Sequence, residues 1–348
     1  MSEKLRQKGS VKAALIMLFL LSLISLTAPL LSPGNYKEQQ KNEAGEILSN
    51  LPPKIPALSF LGIAQGRRTL FDRRTEYLSD ESRYPAGSII EIKNRRISGS
   101  GTEYCDVVVD YYRYSGADGQ KAYWLGTDSL GRDLWSRLWR GARISLLIAL
   151  IAVALDMVIG VLYGALCGYY GGKTDLILMR VAEIIYAIPN IIMGTLFILL
   201  LGRGFGAMIV ALSVRNWVGT AQLARAQFLR FKNREFVTAA RAMGTGDKAI
   251  LFRHILPNAM GPLITSAAMA VPGAIFMEAL LSYIGLGLPA PEPSLGTLLS
   301  DAGNVLEAYP YQLFFPAAVI SLIMLSFHFL ANGLRETADP REIQKNKE

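Results

Sequence analysis

Six apolar runs alternate with polar segments along the chain, near residues 13–31, 144–167, 176–201, 205–224, 259–288 and 313–334. A helix of about 20 apolar residues matches the thickness of a bilayer's hydrocarbon core. The Gly, Pro and Ser inside these runs are ordinary in membrane helices. The pattern predicts an all-α integral membrane protein of about six transmembrane helices. The stretch 225–257 stands apart, being too polar to span a bilayer and too apolar for a solvated loop. Phe236, Ala239, Ala240 and Met243 recur at i, i+3, i+4 and i+7, which predicts a helix with a narrow apolar stripe. Glu235, Thr238 and Arg241 share that helix, and Gly244 and Gly246 end it. Asp247 is placed to N-cap a second helix running to about His254. Two readings fit this helix-turn-helix knob: a plug for another protein's groove, or an amphipathic connector lying on the lipid surface.

The polar segments divide the rest. Residues 1–33 hold a basic N-terminal segment and the first helix. A signal peptide is the other reading of that helix, but its core is long and no small-x-small site follows before Pro29 and Pro33. Residues 34–123 form an insertion with a Pro-rich stretch, Leu51-Pro52-Pro53-Lys54-Ile55-Pro56. Within it, Ser88–Ile92 and Asp106–Tyr112 read as strands, with a turn at Ser98-Gly99-Ser100-Gly101. Residues 124–143 read as an interfacial amphipathic helix with Trp135 and Trp139 at headgroup level and Arg137 and Arg140 on its polar face. A transmembrane core spans 144–335 with the knob inside it, and 336–348 is a tail.

Charge sets the orientation. The chain has 348 residues and a formal net charge of +8. Lys4, Arg6, Lys8, Lys12 and Lys173 are basic, as are seven Lys/Arg between 225 and 257 and Arg335, Arg341, Lys345 and Lys347 in the tail, whereas 289–312 holds only Glu292, Asp301 and Glu307. Basic short loops stay inside, which predicts cytoplasmic termini, a cytoplasmic knob and an external 34–123 insertion. The positive charge is therefore assigned to membrane topology, not to nucleic-acid binding.

The order Leu125-Gly126-Thr127-Asp128-Ser129-Leu130-Gly131-Arg132-Asp133, then Ser136-Arg137 and Gly141-Ala142-Arg143-Ile144-Ser145-Leu146, resembles a known family. So do Gly168-Tyr169-Tyr170-Gly171-Gly172, Thr238-Ala239-Ala240-Arg241-Ala242-Met243-Gly244, Arg253-His254-Ile255-Leu256-Pro257-Asn258 and Glu278-Ala279-Leu280-Leu281-Ser282-Tyr283. Together they resemble the C-type permease of oligopeptide, dipeptide and nickel ABC importers across most of 120–340. The resemblance implies a type I importer permease fold in a bacterial inner membrane. It implies transport of a peptide or a related solute such as a metal chelate. It implies a second, homologous permease, two separate ABC ATPases and an extracytoplasmic binding protein as partners. It makes the knob the ATPase-coupling loop, with Glu235, Phe236, Thr238, Ala239, Ala240, Arg241, Met243 and Gly244 at the contact. The family's loop usually opens with Glu where this chain has Thr238.

Candidate chemistry is sparse. Cys167–Thr174 approaches a phosphate-binding loop, but Cys167 occupies the first Gly position and membrane spans flank it. Two His, His254 and His328, and two Cys, Cys105 and Cys167, build no zinc or disulfide framework. No catalytic residue, cofactor or metal site is expected. Asp156, Glu183 and Glu278 fall inside apolar runs, where an ionisable group is costly. Each fits a translocation path, a gate or a helix–helix hydrogen bond. An ion-coupled secondary transporter using Asp156 and Glu183 is the competing class, and a membrane-anchored external scaffold is a third. The Pro-rich loop Pro289–Ser294 is expected to shape an external vestibule, or to be a plain rigid turn.

Overall fold

A computed structural model describes residues 2–31, 34–56, 64–117 and 122–337. Pro33 and the tail residues Arg341, Lys345 and Lys347 lie outside them. Eleven α-helices and three strands order as α1 Ser2–Leu31, β1 Arg67–Arg74, β2 Ile89–Ile97, β3 Glu103–Asp110, α2 Tyr111–Tyr114, α3 Leu134–Tyr170, α4 Gly172–Ala187, α5 Asn190–Leu201, α6 Phe205–Phe231, α7 Glu235–Ala242, α8 Asp247–Ala249, α9 Leu256–Leu281, α10 Leu295–Gly303 and α11 Pro310–Thr337.

Among the described residues, four helices are long and apolar enough to cross a bilayer: α1, α3, the continuous stretch Asp247–Leu286 containing α9, and α11. The run at 176–201 forms two helices, α4 and α5, bent by 85° at Ile188-Pro189, a bend that Pro189 leads one to expect. Pro189 has no N–H to donate to a continuing helix and disfavours helical backbone at Ile188, which is extended at ψ 130°. The run at 205–224 forms α6, but Arg215, Asn216, Gln222, Arg225 and Gln227 make it too polar to count among the four. It lies along α3.

The α3–α6 contact explains where that polarity goes. Gly160, Gly164 and Gly168 repeat every four residues, so they share one face of α3. A Cβ on them would meet the Trp217 carbonyl at 2.6 Å, the Ala221 carbonyl at 2.2 Å and the Arg225 carbonyl at 2.7 Å. Only hydrogen fits, and the two backbones approach as in small-residue membrane contacts. One core joins α1, α3, α9, α10 and α11 around Leu138, Ala149, Ile275 and Ile323. A second joins α3, α5, α6 and α9 around Ile148, Ile198, Leu212 and Leu281.

Of the segment 124–143 expected as an interfacial helix leading into the next span, residues 134–143 are the first part of α3 and 124–133 are not helical. Its Arg137 is buried at 3% exposure, where a solvated face was expected. The insertion carries the expected strands β2 and β3 and one that the sequence did not announce. The sheet order is β1-β3-β2, both pairs antiparallel. Central β3 supplies Cys105, Val107 and Val109 to its core. The Arg-rich edge strand β1 buries only Leu70, so it lacks the apolar alternation that marks a half-buried strand, and charge on an edge discourages stray pairing. The Asp106 carboxyl accepts from Asn94 (2.8 Å), from the Asp72 N–H (3.2 Å) and from Arg96 (3.0 Å). The Asn94 bond, above all, holds it below the usual carboxylate range. Arg68 donates to the Tyr309 hydroxyl at 2.7 Å, and Tyr311 donates to the Leu51 carbonyl at 3.0 Å. The sheet is thereby tied to the start of α11.

Candidate functional site

The knob is built from α7 and α8 at the end of the bundle opposite the sheet. Arg234 is extended, and α7 begins at Glu235, a negative charge at a helix N-terminus. The helix closes with a Schellman motif. The Thr245 N–H donates to the Ala240 carbonyl at 3.1 Å, and the Gly244 N–H to the Arg241 carbonyl at 3.0 Å. Gly244 has φ +80°, left-handed backbone that glycine adopts without strain. Nothing lies within 4 Å of the Cβ it lacks, so conformation and not crowding selects glycine here.

The expected apolar stripe divides into two. Phe236, Ala239 and Met243 are exposed, Met243 at 79%. Ala240 is not with them: at 2% exposure it is buried beside Val237 at 0%, so it anchors α7 and cannot reach a partner. Val237 packs with Ala165, Phe228, Ile250, Leu251 and Ile255. The sequence reading missed Val237, although its i, i+3 spacing to Ala240 was a usable signal. Thr238 and Arg241 are exposed, with Thr238 Oγ1 donating to the Arg234 carbonyl at 3.3 Å. Arg241 reaches the Tyr169 hydroxyl at 3.4 Å, and that hydroxyl donates to Asp247 at 2.5 Å. Asp247 therefore ties the knob to the end of α3. It is the first residue of α8, and the N-cap is Gly246. The second helix does not stop near His254. It passes through a widened turn, Ile250–Ile255, directly into α9.

The three acids expected within spans are dispersed. Asp156 is 5% exposed on α3, with Oδ1 unpaired. Glu183 lies on the exposed side of α4, paired with Arg180 at 2.8 Å. No hydrogen bond links Asp156 to Glu183. Glu278 is fully buried and accepts from Ser145 at 2.8 Å and Ser282 at 2.9 Å. Ser145 also accepts from the Leu295 N–H at 3.0 Å. That places the carboxylate at the start of α10, where a helix favours negative charge, and gives Glu278 a packing role among α3, α9 and α10. Both cysteines are buried and free, and no group of three or more metal-ligating side chains occurs among the described residues.

A further cluster occupies the sheet end of α3. Asp128 Oδ1 accepts from the Leu130 and Arg132 N–H groups at 2.9 and 2.8 Å. Its Oδ2 accepts from Arg132 Nε at 2.8 Å and from Arg137. Arg137 also donates to Asp301 at 3.1 Å. Arg140 pairs with Glu292 of the Pro-rich loop at 3.2 Å. Asp128, Arg132 and Arg137 are all under 9% exposed, so a buried charge knot joins the segment before α3, α3 itself and, through Asp301, α10. Beside it, Arg203, Ser282, Gly287, Glu292 and Asp301 line a cavity of about 240 Å³.

The comparisons place this architecture. The model of the binding-protein-dependent transport system inner membrane component matches residues 160–344, which include the whole knob. The chain is 45% identical over 221 residues to the oligopeptide transport system permease protein OppC of Bacillus subtilis, covering 64% of this chain and 72% of that protein. It is 44% identical to the dipeptide transport system permease protein DppC of the same organism, covering 63% and 69%. It is 37% identical to the glutathione transport system permease protein GsiD of Pectobacterium atrosepticum, covering 63% and 73%. A solved structure of the MetNI methionine ABC transporter shares the fold at TM-score 0.50 and 20% identity, over 58% of this chain and 96% of that one. The chain belongs to the family of binding-protein-dependent transport system inner membrane components, as a multi-pass permease subunit and not an enzyme.

Proposed function

We propose that this permease carries peptides inward and takes its energy from two separate ATPases, one of which grips the α7–α8 knob. The exposed face of Phe236, Ala239 and Met243 on a capped, internally anchored helix carries the reading. An apolar helix face on a polar rim suits a groove on a soluble partner. The peptide cargo rests on the names of the relatives, oligopeptide, dipeptide and glutathione permeases. A second, homologous permease completes the pathway, and a binding protein delivers cargo at the sheet end. The basic residues of the short loops and termini support a cytoplasmic knob, cytoplasmic termini and an external 34–123 insertion. Extraction from the native membrane in mild detergent tests the assembly. Co-purification of a second permease and ATP-binding subunits supports it. A chain that purifies alone at every detergent strength refutes it. ATP-dependent uptake of labelled trialanine by the assembled complex in vesicles tests the cargo.

A further inference from the structure

The elbow between α4 and α5 lies beside a cation at the middle of the bundle. The Ser213 hydroxyl donates to the Ala152 carbonyl of α3 at 3.2 Å, and the Trp217 carbonyl faces Gly160. Arg215, between these two positions on α6, therefore sits level with Asp156. That is the midpoint of the apolar run 144–167, and hence mid-membrane. Arg215 nevertheless does not pack into its own bundle. It is partly exposed, and Nε and Nη2 both donate to the Tyr186 carbonyl, at 3.2 and 3.0 Å. Its guanidinium lies over the Tyr186 ring, 4.1 Å from the centroid.

That carbonyl is open to Arg215 because the helix breaks one residue later. Broken backbone at membrane depth is tolerated only inside protein or along a water-filled cavity, and broken helices mark cargo sites in other transporters. Asn190, first residue of α5, donates from Nδ2 to Asn216 Oδ1 at 3.4 Å. Asn190 Oδ1 has no partner. One turn along α4, Arg180 and Glu183 neutralise each other, so Arg215 sets the local charge.

Resting on the peptide-importer reading, we infer that Arg215, Tyr186, Asn190 and Asn216 form a polar face of the translocation pathway, and that Arg215 receives the C-terminal carboxylate of the passing peptide. The guanidinium fork matches a carboxylate in two parallel bonds. Two of its five N–H donors are spent on Tyr186, and that carbonyl and ring hold the remainder in place. Asn216 keeps its amide N–H groups for peptide backbone, its oxygen being taken by Asn190.

Two measurements on the complete importer in lipid vesicles test this. Asn190→Cys and Asn216→Cys are exposed to a membrane-impermeant, cationic methanethiosulfonate, against Leu199→Cys on the apolar outer face of α5. Both native cysteines are buried, so labelling reports the introduced thiols. The expected result is labelling at 190 and 216, changed by ATP with vanadate, and none at 199. No labelling at 190 and 216 in any nucleotide state overturns the pathway assignment. The second measurement compares uptake of trialanine with uptake of its C-terminal amide. The acid-to-amide ratio of Arg215→Gln is divided by that of the unaltered importer, so the binding protein's own preference cancels. A roughly tenfold fall is expected, the fold-change of one charge-assisted hydrogen bond, with Arg215→Lys between the two. An unchanged ratio while both peptides still move overturns the carboxylate role alone. An importer that moves neither peptide refutes the peptide reading and the carboxylate assignment with it, whatever the labelling shows.

Discussion

The two ends of α3 are held by opposite kinds of chemistry. At the sheet end, Asp128, Arg132 and Arg137 are buried and bonded to one another and to backbone N–H groups. At the knob end, Tyr169 meets Asp247 and Arg241 through exposed hydrogen bonds, and the neighbouring apolar face of α7 is exposed. Buried charges tolerate no loss of a partner, whereas exposed pairs contribute little to stability. One end is committed to fixed packing, and the other keeps a surface to offer. Substitutions at the first should therefore cost stability, and substitutions at the second should cost transport.

The largest expected effect is that of Asp128→Ala, which leaves two buried guanidiniums with only the half-exposed Asp301 as counter-ion. About 3–5 kcal/mol of stability should be lost, read as a lowered melting temperature of the purified subunit. A melt within a degree of the parent would remove the contrast. Gly244→Asp is next. It places a negative charge at the C-terminal end of α7, where the helix dipole disfavours it, beside the exposed face of Met243. ATP-dependent uptake should stop while the amount of protein in the membrane is unchanged, and normal uptake at equal protein would defeat the docking role. Met243→Asp should leave stability within about 0.5 kcal/mol, as for exposed sites in general, yet weaken recovery of the ATPase in a pull-down. Recovery equal to the parent would show that this face is not the contact. The smallest change is Thr238→Glu, which restores the residue that the family's loop usually carries. Stability should shift by less than about 0.5 kcal/mol, with ATPase recovery the same or better. A marked loss of recovery would mean that Thr238 itself is read by the partner.

What was legible in the sequence follows from how far each interaction reaches along the chain. The spans declared themselves through apolar runs, and α7 through its stripe and Gly244, because those signals are local. Pro189 announced the α4–α5 bend for the same reason. The knot did not declare itself. Helical periodicity puts Arg137 on a polar face, and only the fold brings it to Asp128 and Asp301, the latter 3.1 Å away. Strand β1 was silent because its arginines hide the alternation. Gly160, Gly164 and Gly168 were legible as a four-residue repeat and went unread. Arg215 carries no local signal of its role, since only the fold brings it to the Tyr186 carbonyl at the elbow.

The continuity of the knob with α9 has a mechanical consequence. Helical backbone runs from Asp247 to Ile284 and ends where Gly285 turns left-handed, a length of about 57 Å at helical rise. Such a rod is a lever. Pivoting by about 6° around its midpoint would displace each tip by about 3 Å in opposite directions. A push on the knob would need no flexible relay to be felt beside Glu278. The stroke available at the far tip would be set by the rod's length and by how firmly α3, α6 and α11 hold its middle.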